Sequence, residues 1–78
     1  MMKLGIYQHY NGTFYQVLGV ARHSETLEEM VIYQCLSAPF GAWVRPREMF
    51  EGTLEYEGKT IKRFSYVSAG MQEIPTLR

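Results

Sequence analysis

The sequence predicts a mainly β domain, a small SH3-like antiparallel barrel with one short helical turn, and three observations carry that expectation. Aromatic and β-branched residues fill several short runs along the chain. Glycine-containing turn signals separate those runs, with Asn11-Gly12 first and Glu57-Gly58 last. A single proline-led segment, "PREMF", has the form of one helical turn before the final hairpin. Closure or near-closure of such a sheet answers the edge problem that a small open sheet would have.

The first hairpin is read from "GIYQHYNGTFYQVLGV", with strands at Gly5–Tyr10 and Thr13–Arg22. Asn-Gly takes positive φ readily at both central positions, so a type I′ turn is expected there. Asn11-Gly12-Thr13 also has the form of a glycosylation sequon, but that chemistry belongs to secreted chains and the turn reading is preferred. For "EMVIYQCL" two readings compete. Thr26 with Glu29 three residues later has the form of a capping box, which would start a helix near 27–36 and give an α+β fold. Against it, Val31, Tyr33 and Cys35 alternate with Met30, Ile32, Gln34 and Leu36, as on a strand. A helical stripe from Leu27 would run into Gln34, so the strand is preferred and Ser24–Glu28 becomes a hairpin connection. "SAPFGAW" breaks the pattern with Pro39 and Gly41, a short strand Ala42–Arg45 follows, and Pro46 ends it as the first helical residue. "TLEYEGKTIKRFSYV" reads as two strands around Glu57-Gly58, with Gly58 as the left-handed residue of a type I turn with a bulge. One domain over 1–67 is expected, with a tail 68–78 of weak pattern that is expected to be partly disordered.

Composition bounds the function. With 78 residues the chain supports one domain, and six Tyr, four Phe and one Trp supply the large side chains a small core needs. Eight basic residues balance eight acidic ones, which disfavours a general nucleic-acid binder because no net positive field attracts phosphate backbones. Cys35 is the single cysteine, so neither an internal disulfide nor a thiolate-rich metal site can form. The segment "MMKLGIYQHY" lacks the apolar core of a signal peptide and no run approaches a membrane span, so a cytoplasmic protein is expected.

The runs "YQHYNGTFYQVLGVARHSETLEEMVIYQCL", "GAWVRPREMF" and "EYEGKTIKRFSYV" resemble the small-protein family catalogued as domain of unknown function 1653, over roughly Gly5 to Val67. "ARHSETLEE" and "WVRPREMF" carry most of the resemblance. It implies an SH3-like fold and brings no activity, substrate or cofactor to any residue. Ala38-Pro39 departs from the family pattern in one connection, which bears on the shape of that loop.

Three constellations offer chemistry. His23, Ser24 and Glu25 contain the residue types of a base, a nucleophile and an orienting carboxylate, and a small hydrolase-like enzyme would use His23 with Glu25 or Glu29. Neighbours in sequence diverge on a strand, however, and triads are assembled from distant segments. The simpler expectation is that Ser24 and Thr26 bond the backbone of a turn while Glu25 or Glu29 accepts the proton of His23. A metal held by His9, His23 and glutamates, with or without Cys35, lacks any recognised ligand spacing, so no metal or cofactor is expected. The third constellation is aromatic: Tyr7, Tyr10, Phe14, Tyr15, Phe40 and Trp43, with Arg22, Arg45 and Arg47 available beside them. Small barrels often place such rings on one face to bind extended peptides or to stack nucleobases. Arg45 is read evenly as a ligand-binding fork or as the partner of a nearby glutamate, and Arg47 as a surface residue. The expected function is thus a non-catalytic binding module for a protein, peptide or small ligand, with binding residues Tyr15, Trp43, Arg45, Arg47, His23, Glu25 and Glu29. Self-association through the aromatic patch is a further alternative.

Overall fold

In the computed structural model, which describes residues 2–70, a meander of four antiparallel strands bends back so that a last strand meets the first. The meander is β1 (Gly5–His9), β2 (Phe14–Arg22), β3 (Glu29–Cys35) and β4 (Ala42–Pro46). A helical turn α1 (Arg47–Phe50) and a separate hairpin of β5 (Thr53–Tyr56) and β6 (Lys59–Lys62) follow, and β7 (Phe64–Ser68) then pairs with β1. The main sheet has the order β4-β3-β2-β1-β7. The expected mainly β architecture holds, but hydrogen bonding does not run round to close a barrel, and β4 and β7 remain edges.

The strand reading of "EMVIYQCL" holds and the helix near 27–36 does not form. Val31 and Tyr33 are buried with Ile32 between them less so, the two-residue period of a sheet. The hydroxyl of Thr26 accepts the N–H of Glu28 at 3.2 Å, only two residues on. It therefore fixes a turn and caps no helix.

Both expected turn types are exchanged. In the first hairpin only Gly12 has positive φ, at 98°. The Gly12 N–H donates to the His9 carbonyl at 2.8 Å and the His9 N–H to the Thr13 carbonyl at 2.8 Å, which makes Tyr10-Asn11-Gly12 a three-residue loop. Asn11 spends its side chain on this geometry, its Oδ1 accepting the Thr13 N–H at 2.9 Å. In the last hairpin both Glu57 (φ 50°) and Gly58 (φ 77°) are positive, between the paired Tyr56 and Lys59, as a two-residue I′ turn requires.

"TLEYEGKTIKRFSYV" forms three strands instead of two because Arg63 interrupts the run. Its N–H donates to the Gly52 carbonyl at 3.1 Å and its carbonyl accepts the Tyr10 N–H at 2.9 Å, so the chain changes partner there. Pro46 ends β4 and stands just before α1, one position earlier than expected. Ser68, expected to begin the tail, ends β7, and the expected tail beyond Gly70 lies outside the described residues.

Paired residues of an antiparallel sheet share a face. Tyr7, Tyr15 and Cys35 make one row of the inner face, Val17, Tyr33 and Trp43 the next, and Val31 and Arg45 another. Onto these rows α1 delivers Phe50, whose ring stacks on Phe64 at 4.0 Å with 8° between planes. Tyr7 and Tyr33 meet Phe50 edge-on at 5.4 and 5.3 Å. Edge contacts of this kind match the positive rim of one ring to the negative face of another.

Candidate aromatic and arginine binding face

Tyr15, Trp43 and Arg45 share the inner face, Tyr15 on β2 and both Trp43 and Arg45 on β4. The Tyr15 ring meets Tyr33 at 5.3 Å, Phe64 at 5.7 Å and His9 at 6.4 Å. Arg45 donates from Nε to the Tyr33 hydroxyl at 3.2 Å, and its guanidinium carbon lies 5.9 Å from the centroid of the Phe64 ring. Because β4 and β7 are the two edges of the sheet, Arg45 bridges the side on which the sheet stays open. Tyr33 is buried at 5% exposure, whereas Trp43, its neighbour across β3 and β4, is 59% exposed. The result is a buried aromatic floor, a charged fork above it and an indole at the rim.

The electrostatics follow from this packing. Burial pushes the Tyr15 phenol above the usual range, and the neighbouring Cys35 and Tyr33 add to that while Arg45 opposes it. His9 moves the other way: burial lowers its pKa first, a side-chain hydrogen bond with Asn11 works against the change, and Arg45 and Arg63 lower it further. The Nε of Arg63 is buried and has no hydrogen-bond partner.

The remaining predicted residues lie elsewhere. Arg22 pairs with Glu29 at the far end of the β2–β3 ladder, and His23 follows it. Seven residues of strand separate Tyr15 from Arg22, about 23 Å at the usual rise. His23 organises the turn: its Nδ1 accepts the N–H groups of Glu25 at 3.1 Å and Thr26 at 3.3 Å, and its own backbone bonds Glu28 and Leu27. Among the described residues the expected hydrogen bond from the His23 ring to Glu25 or Glu29 is not made. A ring nitrogen that accepts backbone N–H groups has no proton to give at that position, and Glu29 is drawn instead to Arg47 at 2.8 Å. Arg47 also holds Glu51 at 2.6 Å, and these two bonds, Glu51 foremost, raise its pKa further. The nearby carboxylates thus go to Arg47, the arginine expected to face solvent, and Arg45 is left facing the aromatic floor.

Sequence reasoning missed Tyr33 and Phe64 as members of this face. Tyr33 carried a usable signal, since its alternation with Val31 and Cys35 sets it on the row beside Trp43. Phe64 carried none, because the pairing of β7 with β1 spans most of the chain. Phe14 leaves the aromatic group: it pairs with Gln8 on the opposite face. Among the described residues no group of three histidine, cysteine or acidic side chains is placed to hold a metal ion.

A bent, mainly β sheet with this aromatic floor defines a small antiparallel domain. The chain belongs to the family described as protein of unknown function (DUF1653), whose family model matches residues 5–66. It is similar to the crystal structure of a protein belonging to that family from Bordetella bronchiseptica, with a TM-score of 0.80 and 34% identity over 92% of this chain and 95% of that one. A comparison with curated proteins returns no match. Among the described residues no helix is long and apolar enough to cross a membrane.

Proposed function

We infer that this domain is a non-catalytic binding module that recognises its ligand through the face built by Tyr15, Tyr33, Trp43 and Arg45. The observation that carries this reading is the exposure of Trp43, at 59%, directly beside the buried Tyr33 and the Arg45 fork. A large apolar ring held in solvent next to a positioned guanidinium is the combination enriched at recognition hot spots. In this reading the His23 ring serves the turn, since its Nδ1 accepts two backbone N–H groups. With Cys35 as its single cysteine, the sequence suits a reducing compartment such as the cytoplasm.

The test is a fragment and peptide screen followed by amide chemical shifts on the labelled full chain. Hits are expected to move signals of Tyr15, Tyr33, Trp43 and Arg45, and Trp43→Ala is expected to abolish them while His23→Ala leaves them in place. Hits that gather at the His23 turn and survive Trp43→Ala would overturn the reading.

A further inference from the structure

Among the described residues β4 is an open edge of the sheet, hydrogen-bonded to β3 on one side and to no strand on the other. We propose, resting on the binding-module reading, that this edge takes up an extended acidic peptide as an added antiparallel strand. A carboxylate of the peptide lies opposite Arg45 and an apolar side chain opposite Trp43.

The backbone of β4 sets which groups are free. Opposite residues of an antiparallel pair alternate between exchanging hydrogen bonds and not doing so. The Cys35 N–H donates to the Gly41 carbonyl at 2.9 Å, so by alternation the next bonded pairs are Tyr33 with Trp43 and Val31 with Arg45. The Leu36 N–H agrees, turning the other way to the Phe14 carbonyl at 3.0 Å. Ala42 and Val44 therefore point their N–H and C=O groups away from β3, with no partner among the described residues. Such a row is a template for another strand, and folds usually blunt it with a charge, a proline or a bulge. The other edge, β7, has a register shift in its ladder with β1. Ala42, Trp43 and Val44 carry no charge, pair with β3 without a shift, and are all exposed, Val44 at 63%. Pro46, which has no N–H, ends the template.

Side chains decide between partners. Trp43 and Arg45 stand on one face and Ala42 and Val44 on the other, so an added strand sets every second residue beside Trp43 and Arg45. Arg45 bonds Tyr33 from Nε and forms no ion pair, since both ion pairs among the described residues belong to Arg47. The buried side-chain nitrogen without a partner among these residues is Nε of Arg63, so the unpartnered terminal nitrogens of Arg45 reach solvent. They suit a carboxylate, whose two oxygens match the guanidinium fork. Opposite the exposed Trp43 ring, an aromatic or β-branched residue makes the favoured cross-strand contact. An antiparallel partner thus reads Glu-x-apolar, and its middle residue bonds Val44. A second copy of the chain fits less well, because pairing symmetrically about Trp43 brings Gly41, with no carboxylate, to Arg45. The open edge is also short beside the roughly 1,200 Å² that a stable dimer buries.

The experiment titrates the labelled full chain with the blocked peptide Thr-Thr-Glu-Thr-Tyr-Thr-Thr, with its Glu-to-Gln analogue, and with an analogue N-methylated at the threonine between Glu and Tyr. The parent peptide is expected to move the amide signals of Ala42 and Val44 together with the Trp43 indole. N-methylation is expected to weaken it about fivefold or more, by removing the donor to the Val44 carbonyl. The Gln analogue is expected to bind about threefold more weakly on the native chain, and as well as the parent on Arg45→Met. Val44→Pro removes an outward N–H and leaves the ladder with β3, so it is expected to weaken the parent about as much as N-methylation does. Should that variant fail to fold, the N-methylated peptide on the native chain supplies the same test. Shifts confined to the Trp43 indole and the Tyr15 ring, with Ala42 and Val44 unmoved, overturn the added strand and leave the aromatic face standing. Equal binding of the Glu and Gln peptides by the native chain overturns the acidic partner. Ala42 and Val44 signals that depend on protein concentration without peptide mean that a second copy takes the edge, and this also overturns the proposal. No response to any peptide overturns it too, and the fragment screen then decides the face separately.

Discussion

Gly5 is held at φ 131°, and a Cβ added there would lie 2.3 Å from the Ser68 carbonyl oxygen. That oxygen belongs to the backbone of β7, so it cannot swing aside without pulling the last strand off the first. Gly5→Ala is expected to cost about 2–4 kcal/mol, through the unfavourable φ and the overlap together. Gly19 is the control, because it has an ordinary φ and no atom within 4 Å of the added carbon. Gly19→Ala is expected to change stability by about 0.5 kcal/mol or less, and urea unfolding of the two variants checks both values. Nothing in the sequence separates these two glycines, since the constraint on Gly5 comes from a strand some sixty residues away. His9 gives a second expectation at this scale. Its pKa is lowered in the fold mainly by burial, with Arg45 and Arg63 in the same direction and the Asn11 bond opposed. The unfolded chain takes up the proton near the ordinary value of about 6.5, and the folded chain resists it. Stability from this group is thus complete above about pH 6.5 and is lost as pH falls toward the lower folded pKa. Urea midpoints at about pH 7.5 and about pH 5.5 are expected to differ less in His9→Gln than in the native chain.

The elements show how local signals carry a strand but not its turn. Alternation in "EMVIYQCL" is sufficient to identify β3, because a sheet buried on one side imposes a period of two on the residues themselves. Turn type is settled by other forces. Asn11-Gly12 has the residues of a I′ turn, yet Asn11 keeps an ordinary φ and uses its Oδ1 on the Thr13 N–H. Glu57 takes the left-handed conformation that is unfavourable for it, because Tyr56 and Lys59 are already in register. The His23 turn follows the same logic, with one side chain replacing several backbone partners. Removing that ring leaves two N–H groups to water, so His23→Ala is expected to cost about 1 kcal/mol. His23→Asn is expected to recover part of the loss, since its Oδ1 can accept similar backbone bonds from a short side chain. Denaturant midpoints for the pair check this, and an equal loss in both variants would mean that the ring matters by packing.

At the scale of the whole molecule, the aromatic richness was legible as a core requirement, but which rings meet depends on how the sheet bends. Tyr7, Tyr15 and Tyr33 come from three neighbouring strands, whereas Phe64 reaches them only because β7 returns to β1. Phe50 reaches them because Pro46 ends β4 and α1 turns the chain inward at that point. The candidate site was legible to the same extent: Tyr15, Trp43 and Arg45 could be named, while Phe64 needed the closing contact. Phe50 is 1% exposed and touches Tyr7, Tyr33 and Phe64, so it joins the ends of the chain to its centre. Phe50→Ala is expected to cost about 3–5 kcal/mol, by loss of transfer free energy and by the cavity left between the rings. Domains of this class have about 5–15 kcal/mol in total, so the variant should stand close to unfolding. Phe50→Leu keeps most of the volume but not the stacked contact, and a smaller loss is expected. Thermal unfolding of both variants, followed by the near-ultraviolet signal of the tyrosines, checks the order. A Phe50→Ala chain as stable as the native one would mean that β7 is held to β1 by the strand ladder alone, with no support from the ring stack.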